Sequence, residues 1–229
     1  MVFLEVTTEL LSGFTTSILL FLLTLILALP LGLLVSFCTM SRFAPLRIFF
    51  KFIVWILRGT PLMLQIFVIF YIPGLLNLFN WPTMNTGWLW FDSTITTRFI
   101  AALVAFAINY AAYFSEIYRG GIQSISKGQY EAGQVLGLSK TQVFFQVVLM
   151  QVVKRIIPPM SNEIITLVKD TSLAQVLGVI DLLNAAKHAV NHYVILTPFV
   201  YATVFYLIFN GILTIVLGKM EKKLSYYKV

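Results

Sequence analysis

Long apolar runs without a charged side chain limit most strongly what this chain can fold into. The first run, residues 13–40, contains no Asp, Glu, Lys or Arg, and about 20 apolar residues in a helix are enough to cross the hydrocarbon core of a bilayer. Across the chain 59% of residues are hydrophobic and 11% are charged, which is far from the composition of soluble domains. The sequence therefore excludes a water-soluble globule and predicts a helical membrane protein.

Five regions are predicted to span the membrane, and the 229 residues leave no room for a second folded domain. They are residues 13–40, 44–76, 95–118, 155–179 and 194–218. The predicted fold class is therefore an all-α membrane protein, with one transmembrane domain over residues 1–229. A secretory signal would have a basic leader and a shorter apolar stretch, so the first region is interpreted as an uncleaved span.

The uneven distribution of basic residues between the loops predicts the orientation, because basic loops are retained in the cytoplasm. Of 16 Lys and Arg, three follow the first span, five lie between the third and fourth spans, and four close the chain. The segments on the opposite side hold the acidic residues Glu5, Glu9, Asp92 and Asp181 and the basic residues Arg98 and Lys187. We expect the N-terminus on the outer side and the C-terminus on the cytoplasmic side of the cell membrane, and we attribute the net charge of +7 to cytoplasmic loops and not to nucleic-acid binding.

Tryptophan is frequent in the connection that follows the second span. Trp81, Trp88 and Trp90 lie there, and amphipathic rings prefer the headgroup level of a membrane. An aromatic belt is the simpler interpretation, and a docking surface for an external partner is the alternative.

The polar stretch 126–151, between the third and fourth spans, is predicted to form two short helices. Residues 126–129 and 139–142 both match the capping pattern in which a serine accepts from the third helical amide and a glutamine reaches back. Gly137 is placed to end the first helix in a left-handed conformation. In that helix, Glu131 stands beside two residues with almost no side chain, a face that favours close approach of a partner.

The second region contains a predicted helix break at Arg58-Gly59-Thr60-Pro61. Thr60 is able to cap a helix, and Pro61 suits the first helical position because its missing N–H costs nothing there. Arginine near membrane depth is expensive unless it faces protein or water. We therefore expect Arg58 to face inward, to reach the cytoplasmic interface, or to pair with a carboxylate such as Glu116.

Polar residues share one face of the third span. Asn109, Tyr113 and Glu116 stand at i, i+4 and i+7. Asn109 lies about 15 Å from Arg119 along the helix, close to mid-membrane. Glu116 and Arg119 are spaced for an i,i+3 ion pair.

The fourth span carries a second polar face at matching depth, formed by Glu163, Thr166 and Asp170 at i, i+3 and i+7. Intramembrane ionisable groups commonly mark transport pathways. The alternative is a Glu163–Lys169 or Glu163–Arg58 pair that only holds the bundle together. Our hypothesis for a substrate site comprises Asn109, Asn162, Glu163, Thr166 and Asp170, with Gln65 as a weaker member. A carboxylate at position 163 would suit a substrate with a cationic side chain.

Several kinds of chemistry are not expected from this sequence. It contains no G-x-x-x-x-G-K-[ST] phosphate loop and no H-E-x-x-H pair, so we expect neither ATP hydrolysis by the chain itself nor catalytic residues. His188 and His192 are interpreted as solvated loop residues, and no metal or cofactor is predicted. Cys38 is the single cysteine, which excludes an intrachain disulfide.

The polar stretch resembles the EAA loop of ATP-binding cassette (ABC) importer permeases. The resemblance rests on Glu131-Ala132-Gly133, Gly137, Val147 and Leu149, although Gly133, Val147 and Met150 depart from the residues usual in that loop. Three further segments are similar to the polar amino acid uptake branch of the family. These are Arg58-Gly59-Thr60-Pro61-Leu62, Tyr113-Phe114-x-Glu116-x-Tyr118-Arg119-Gly120 and Lys169-Asp170-Thr171-Ser172-Leu173.

The resemblance implies the type I importer fold and a transmembrane subunit of an ATP-driven importer of polar, in particular basic, amino acids. Its partners would be cytoplasmic ABC ATPases that grip Glu131, Ala132, Gly133 and Gly137, and an external amino acid binding protein. The chain has no evident internal repeat, and a path through so small a bundle is more easily built at a two-fold interface. We therefore expect a second permease subunit, identical or similar. The alternatives are a proton-coupled secondary carrier that uses Glu163 and Asp170 as a relay, and a scaffold that does not transport.

Overall fold

The computed structural model describes residues 2–81 and 93–224, and within them the chain forms helices and no strands. The helices are α1 (Val2–Thr39), α2 (Ala44–Gly59), α3 (Leu62–Leu75), α4 (Ser93–Gln123), α5 (Lys127–Val135), α6 (Lys140–Val143), α7 (Leu149–Asp170), α8 (Leu182–Tyr193) and α9 (Thr197–Leu224). In this part of the chain four helical stretches are long and apolar enough to cross a membrane, or five if the bent pair α2–α3 is one span. The predicted all-α membrane fold is confirmed, while Trp88, Trp90, Asp92 and Lys228 lie outside the described residues.

Helix α4 lies at the centre of the bundle and packs along α1. Its buried side includes Ala101, Ala105, Phe106 and Phe114, each with no exposed surface. Small residues let helices in a membrane approach closely. At Gly32 of α1 an added Cβ would lie 2.8 Å from the Cβ of Phe114 and 3.0 Å from the carbonyl oxygen of Ala111. The contact between the two helices therefore requires glycine at this position.

We expect the substitution Gly32→Ala to destabilise the bundle, because the added methyl group overlaps α4. Overpacking of this kind costs about 1–3 kcal/mol. The thermal unfolding midpoint of the detergent-solubilised protein would fall. Gly211→Ala is the matched control, since nothing lies within 4 Å of an added Cβ there, and equal midpoints for both variants would contradict this packing.

The predicted break in the second region is confirmed, although its cap differs from the expectation. Helices α2 and α3 meet at an angle of 112°. Pro61 is the residue that precedes α3, and its carbonyl accepts from the amides of Leu64 and Gln65. Thr60 does not cap α3, because its hydroxyl donates back to the carbonyl of Ile56 at 2.9 Å. Proline fixes the turn through its restricted φ angle.

The loop between the third and fourth spans forms α5 and α6, as predicted. Ser139 and Gln142 form the expected capping box, and Gly137 ends α5 with a left-handed φ of 78°. Ser126 precedes α5 at the predicted position, but its side chain makes no capping hydrogen bond. After α6 a π-helical turn, Phe144–Val148, leads directly into α7. The fourth span was expected to begin near Arg155, whereas the helical stretch is continuous from Lys140 to Leu177.

Helix α7 ends in a short 3₁₀ segment, Thr171–Leu177, which Gly178 terminates with a left-handed φ of 77°. The buried carboxylate of Asp181 then caps α8 by accepting from the amide of Asn184 at 3.0 Å. An added Cβ on Gly13 would lie 2.7 Å from the carbonyl oxygen of Asp181. This close contact joins α1 to the start of α8.

Candidate functional site

One side of α7 carries a partly exposed group of polar side chains. Asn162 is exposed, while Glu163, Thr166 and Asp170 are half-buried, and the Thr166 hydroxyl donates to the carbonyl of Asn162 at 3.0 Å. Among the described residues the Glu163 carboxylate has neither a hydrogen bond nor an ion pair, since both ion pairs there involve Glu116. Neither Lys169 nor Arg58 therefore forms a close ion pair with Glu163 in this part of the structure, although Arg58 interacts with its carboxylate electrostatically from a longer distance.

Asp170 is tied to α4 through a residue that the sequence analysis did not select. The Tyr110 hydroxyl donates to Oδ2 of Asp170 at 2.7 Å, and Tyr110 is buried. A buried tyrosine hydroxyl normally requires a hydrogen-bonding partner. That rule, applied to a tyrosine in the apolar core of the third span, is the signal that identifies Tyr110.

Asn109 and Gln65 meet at the break between α2 and α3. The side-chain amide of Asn109 donates to Oε1 of Gln65 at 3.0 Å and to the carbonyl of Leu57 at 3.2 Å. Gln65 in turn donates to the Leu57 carbonyl at 2.7 Å and to the Thr60 hydroxyl at 2.8 Å. Carbonyls at the end of a helix lack intrahelical partners. The side-chain amides of Asn109 and Gln65 supply hydrogen-bond donors to the Leu57 carbonyl at the end of α2. Contact of either residue with a substrate stays a prediction.

Glu116 forms the predicted ion-pair cluster at the far end of α4. Arg119 donates to its two carboxylate oxygens, at 2.9 Å and 2.5 Å. Arg58 reaches the same carboxylate at 3.7 Å, and its guanidinium lies 5.2 Å from the centre of the Tyr113 ring. The expected pairings of Glu116 with Arg119 and of Arg58 with Glu116 are both confirmed. The cluster joins the end of α2 to α4, and Glu163 is not ion-paired within it, although Arg58 is near enough to attract its carboxylate.

The tip of the α5–α6 loop exposes two apolar side chains that the sequence analysis missed. Val135 is 88% exposed and Leu136 is 77% exposed. Glu131 and Ala132 are exposed as well, and the Glu131 carboxylate has no hydrogen bond or ion pair with any described residue. The signal in the sequence was a pair of adjacent aliphatic residues directly before the helix-ending Gly137.

Gly133 has a different environment from the one expected of it. It is buried, and an added Cβ would lie 2.3 Å from a methyl group of Val143. Its missing side chain therefore allows α5 to pack on α6 within this chain, and it does not lie on the exposed face beside Glu131.

A cavity of about 410 Å³ lies between the end of α3 and the start of α4. Its lining is mainly aromatic and includes Phe70, Tyr71, Phe79 and Trp81. None of the predicted substrate residues lines it. The polar group on α7 is instead an open face of the chain.

The chain is similar to known membrane transport proteins over nearly its whole length. Residues 28–226 match the family described as the binding-protein-dependent transport system inner membrane component. The L-cystine transport system permease protein TcyB of Bacillus subtilis (strain 168) is 36% identical over 90% of this chain and 82% of the relative. The arginine transport system permease protein ArtQ of the same organism is 33% identical over 94% and 92%.

A solved structure shows the same similarity in three dimensions. It is described as the crystal structure of an amino acid ABC transporter with histidines. The two chains superpose with a TM-score of 0.83 at 26% identity, over 96% of each. The resemblance to ABC importer permeases is thus confirmed, and a family of this description gives no support to the alternative of a proton-coupled carrier. The chain belongs to the family of binding-protein-dependent transport system inner membrane components and is a multi-pass protein of the bacterial cell membrane.

Proposed function

We propose that this chain is the permease subunit of an ATP-driven importer of polar amino acids, with a preference for basic ones. In this proposal the N-terminus lies outside the cell. The α5–α6 loop and the other segments that carry most of the basic residues lie in the cytoplasm. A partner subunit hydrolyses ATP, and an external binding protein delivers the substrate. The observation that carries the proposal is the unpaired Glu163 carboxylate on the open face of α7, in the same continuous helix that leads from the α5–α6 loop.

The connection between loop and face is mechanical. From Lys140 to Glu163 the helical stretch rises about 35 Å at 1.5 Å per residue. A helix transmits displacement along its axis through the hydrogen bonds between its turns, although Pro158 and Pro159 lack the backbone N–H for two of these bonds. Docking of an ATPase on the loop would therefore move Glu163 and Asp170 relative to α4. Closure of the ATPases would in this way shift the bundle between inward-facing and outward-facing states.

The open polar face also supports a second permease subunit. Asn162 and Lys169 are exposed, and Glu163, Thr166 and Asp170 are only half-buried. Charged groups are expensive to leave in contact with lipid. A partner subunit placed against this face would enclose a polar path between the two chains. An identical and a similar partner satisfy this requirement equally.

The substrate class follows from the charges that a bound amino acid would meet. The side chain of the substrate would contact Glu163, and its ammonium group would contact the Asp170 carboxylate. That carboxylate also accepts a hydrogen bond from the Tyr110 hydroxyl. Thr166 and Asn162 would supply neutral polar groups. The relatives named for L-cystine and for arginine agree with a polar amino acid, and the carboxylate at position 163 favours a cationic one.

A competition panel tests this substrate class. Vesicles that contain the chain with its ATP-binding and substrate-binding partners take up labelled arginine, while unlabelled amino acids are added in turn. We expect lysine, histidine and ornithine to compete more strongly than glutamine, and leucine and glutamate not to compete. Strong competition by cystine or glutamine with none by lysine would refute the preference for basic substrates. The proposal that the substrate is a polar amino acid would still hold.

A further inference from the structure

The side chain of Tyr110 is held in the core of the bundle by other aromatic rings. It is only 2% exposed. Its ring is almost parallel to that of Phe106, with the planes 4° apart and the centres 6.5 Å apart, and the Phe114 ring lies 6.0 Å away. A close-packed interior leaves little room for such a ring to turn. The Tyr110 hydroxyl is therefore a donor with a fixed position.

The Asp170 carboxylate uses one of its two oxygens to accept from this donor. Oδ2 accepts at 2.7 Å, whereas Oδ1 accepts no hydrogen bond from a residue that the structure describes. Lys169, the preceding residue, attracts the carboxylate electrostatically but forms no ion pair with it. A carboxylate at membrane depth is expensive unless further groups compensate its charge. Oδ1 is thus available to a donor from outside the chain.

The bond from Tyr110 also determines the direction in which the Asp170 side chain points. An aspartate can rotate about its side-chain torsions among several positions, and within the described part of the chain Tyr110 is its one hydrogen-bonding partner. A hydrogen bond to an ionised group is about twice as strong as one between neutral groups. Without the hydroxyl the carboxylate would be free to turn toward Lys169, and Oδ1 would lose its fixed position.

We propose that Tyr110 is a positioning residue for recognition of the substrate's α-ammonium group. Its hydroxyl holds Asp170 so that Oδ1 accepts from the ammonium. Glu163 lies seven residues earlier in α7, about 10 Å along the helix axis, and makes no hydrogen bond to Tyr110. The two ends of the substrate are therefore recognised separately, the ammonium through Tyr110 and Asp170 and the side chain through Glu163. This inference rests on the proposed function, which assigns Asp170 to the ammonium.

Competition binding to the complex of this chain with its ATPase, in nanodiscs and without the external binding protein, tests the inference. Labelled arginine is displaced by citrulline, which lacks the side-chain charge, or by deaminoarginine, which has hydrogen in place of the α-ammonium group. The unchanged complex should prefer arginine to both. Tyr110→Phe removes the hydroxyl alone and should reduce the preference over deaminoarginine about 10-fold, the effect of one hydrogen bond to a charged group. Its preference over citrulline should not change, because that preference depends on Glu163.

Tyr118→Phe is the matched control, since it removes a hydroxyl two turns further along α4 that forms no hydrogen bond with a described residue. Both preferences should survive in it. In an Asp170→Asn background, Tyr110→Phe should cause no further change, because the hydroxyl acts through that carboxylate.

Three results would overturn the inference, and they differ from a failure of the proposed function. Unchanged preferences in Tyr110→Phe would show that the hydroxyl does not position Asp170. Loss of both preferences would show that Tyr110 only supports the packing of the bundle, and a further loss on top of Asp170→Asn would show that it acts elsewhere. An unchanged complex that binds no arginine would instead refute the proposed substrate site, and the inference with it.

Discussion

Replacement of Glu163 by glutamine is expected to weaken uptake of arginine while sparing uptake of glutamine. The substitution keeps the size of the side chain and removes its charge. A hydrogen bond to a charged group contributes about 1.5–3 kcal/mol, so the KM for arginine should rise about 10- to 100-fold. The measurement is the concentration dependence of uptake of the two labelled amino acids by vesicles containing the complete transporter.

Glu221→Gln is the matched control for this prediction, because it neutralises one carboxylate in α9, away from the polar face of α7. Its KM for arginine should equal that of the unchanged protein. If Glu163→Gln leaves uptake of both amino acids unchanged, Glu163 does not contact the substrate. An equal loss for both amino acids would instead assign Glu163 to the path or the packing of the bundle.

Truncation of Val135 and Leu136 to alanine is expected to detach the ATPase subunit. Both side chains are almost fully exposed in the isolated chain, and burial at an interface would stabilise the complex by about 0.8 kcal/mol for each methylene removed from water. A few side chains that are fully desolvated in the complex usually carry most of the binding energy of an interface. Affinity for the ATPase should fall about 30-fold or more, measured by surface-immobilised binding of the detergent-solubilised permease.

The pair Leu75→Ala and Leu76→Ala supplies the control, since these adjacent residues are 76% and 63% exposed and lie at the end of α3. Their truncation should leave ATPase affinity unchanged. Reversal of charge by Glu131→Lys should also weaken assembly, because that exposed carboxylate is free among the described residues to pair with a basic partner. Unchanged affinity in both loop variants would show that the ATPase docks elsewhere.

Local sequence signals predicted the features that depend on neighbouring residues. The break after Arg58-Gly59 follows from the proline at position 61, and the capping box at Ser139 and the left-handed Gly137 follow from short-range rules. Each of these depends on hydrogen bonds or backbone angles within a few residues. The ion pair of Glu116 and Arg119 belongs to the same class, since its members are one helical turn apart.

Contacts between helices could not be derived in the same way. The bond of Asn109 to Gln65 joins residues 44 positions apart, and that of Tyr110 to Asp170 joins residues 60 positions apart. Such pairs depend on how each helix is rotated and displaced in the bundle, and periodicity alone does not determine either. The burial of Gly133 against Val143 has the same origin, because it depends on the angle at which α5 folds back on α6.

ATP-driven uptake by a defined set of components tests the central claim most directly. Vesicles contain this chain, its ATPase and its binding protein, with ATP on the side of the α5–α6 loop, and accumulation of labelled arginine is followed with and without a protonophore. The account predicts accumulation that requires ATP, persists when the proton gradient is collapsed, and is lost in the Val135→Ala and Leu136→Ala variant. Accumulation that continues without ATP and disappears with the proton gradient would contradict it.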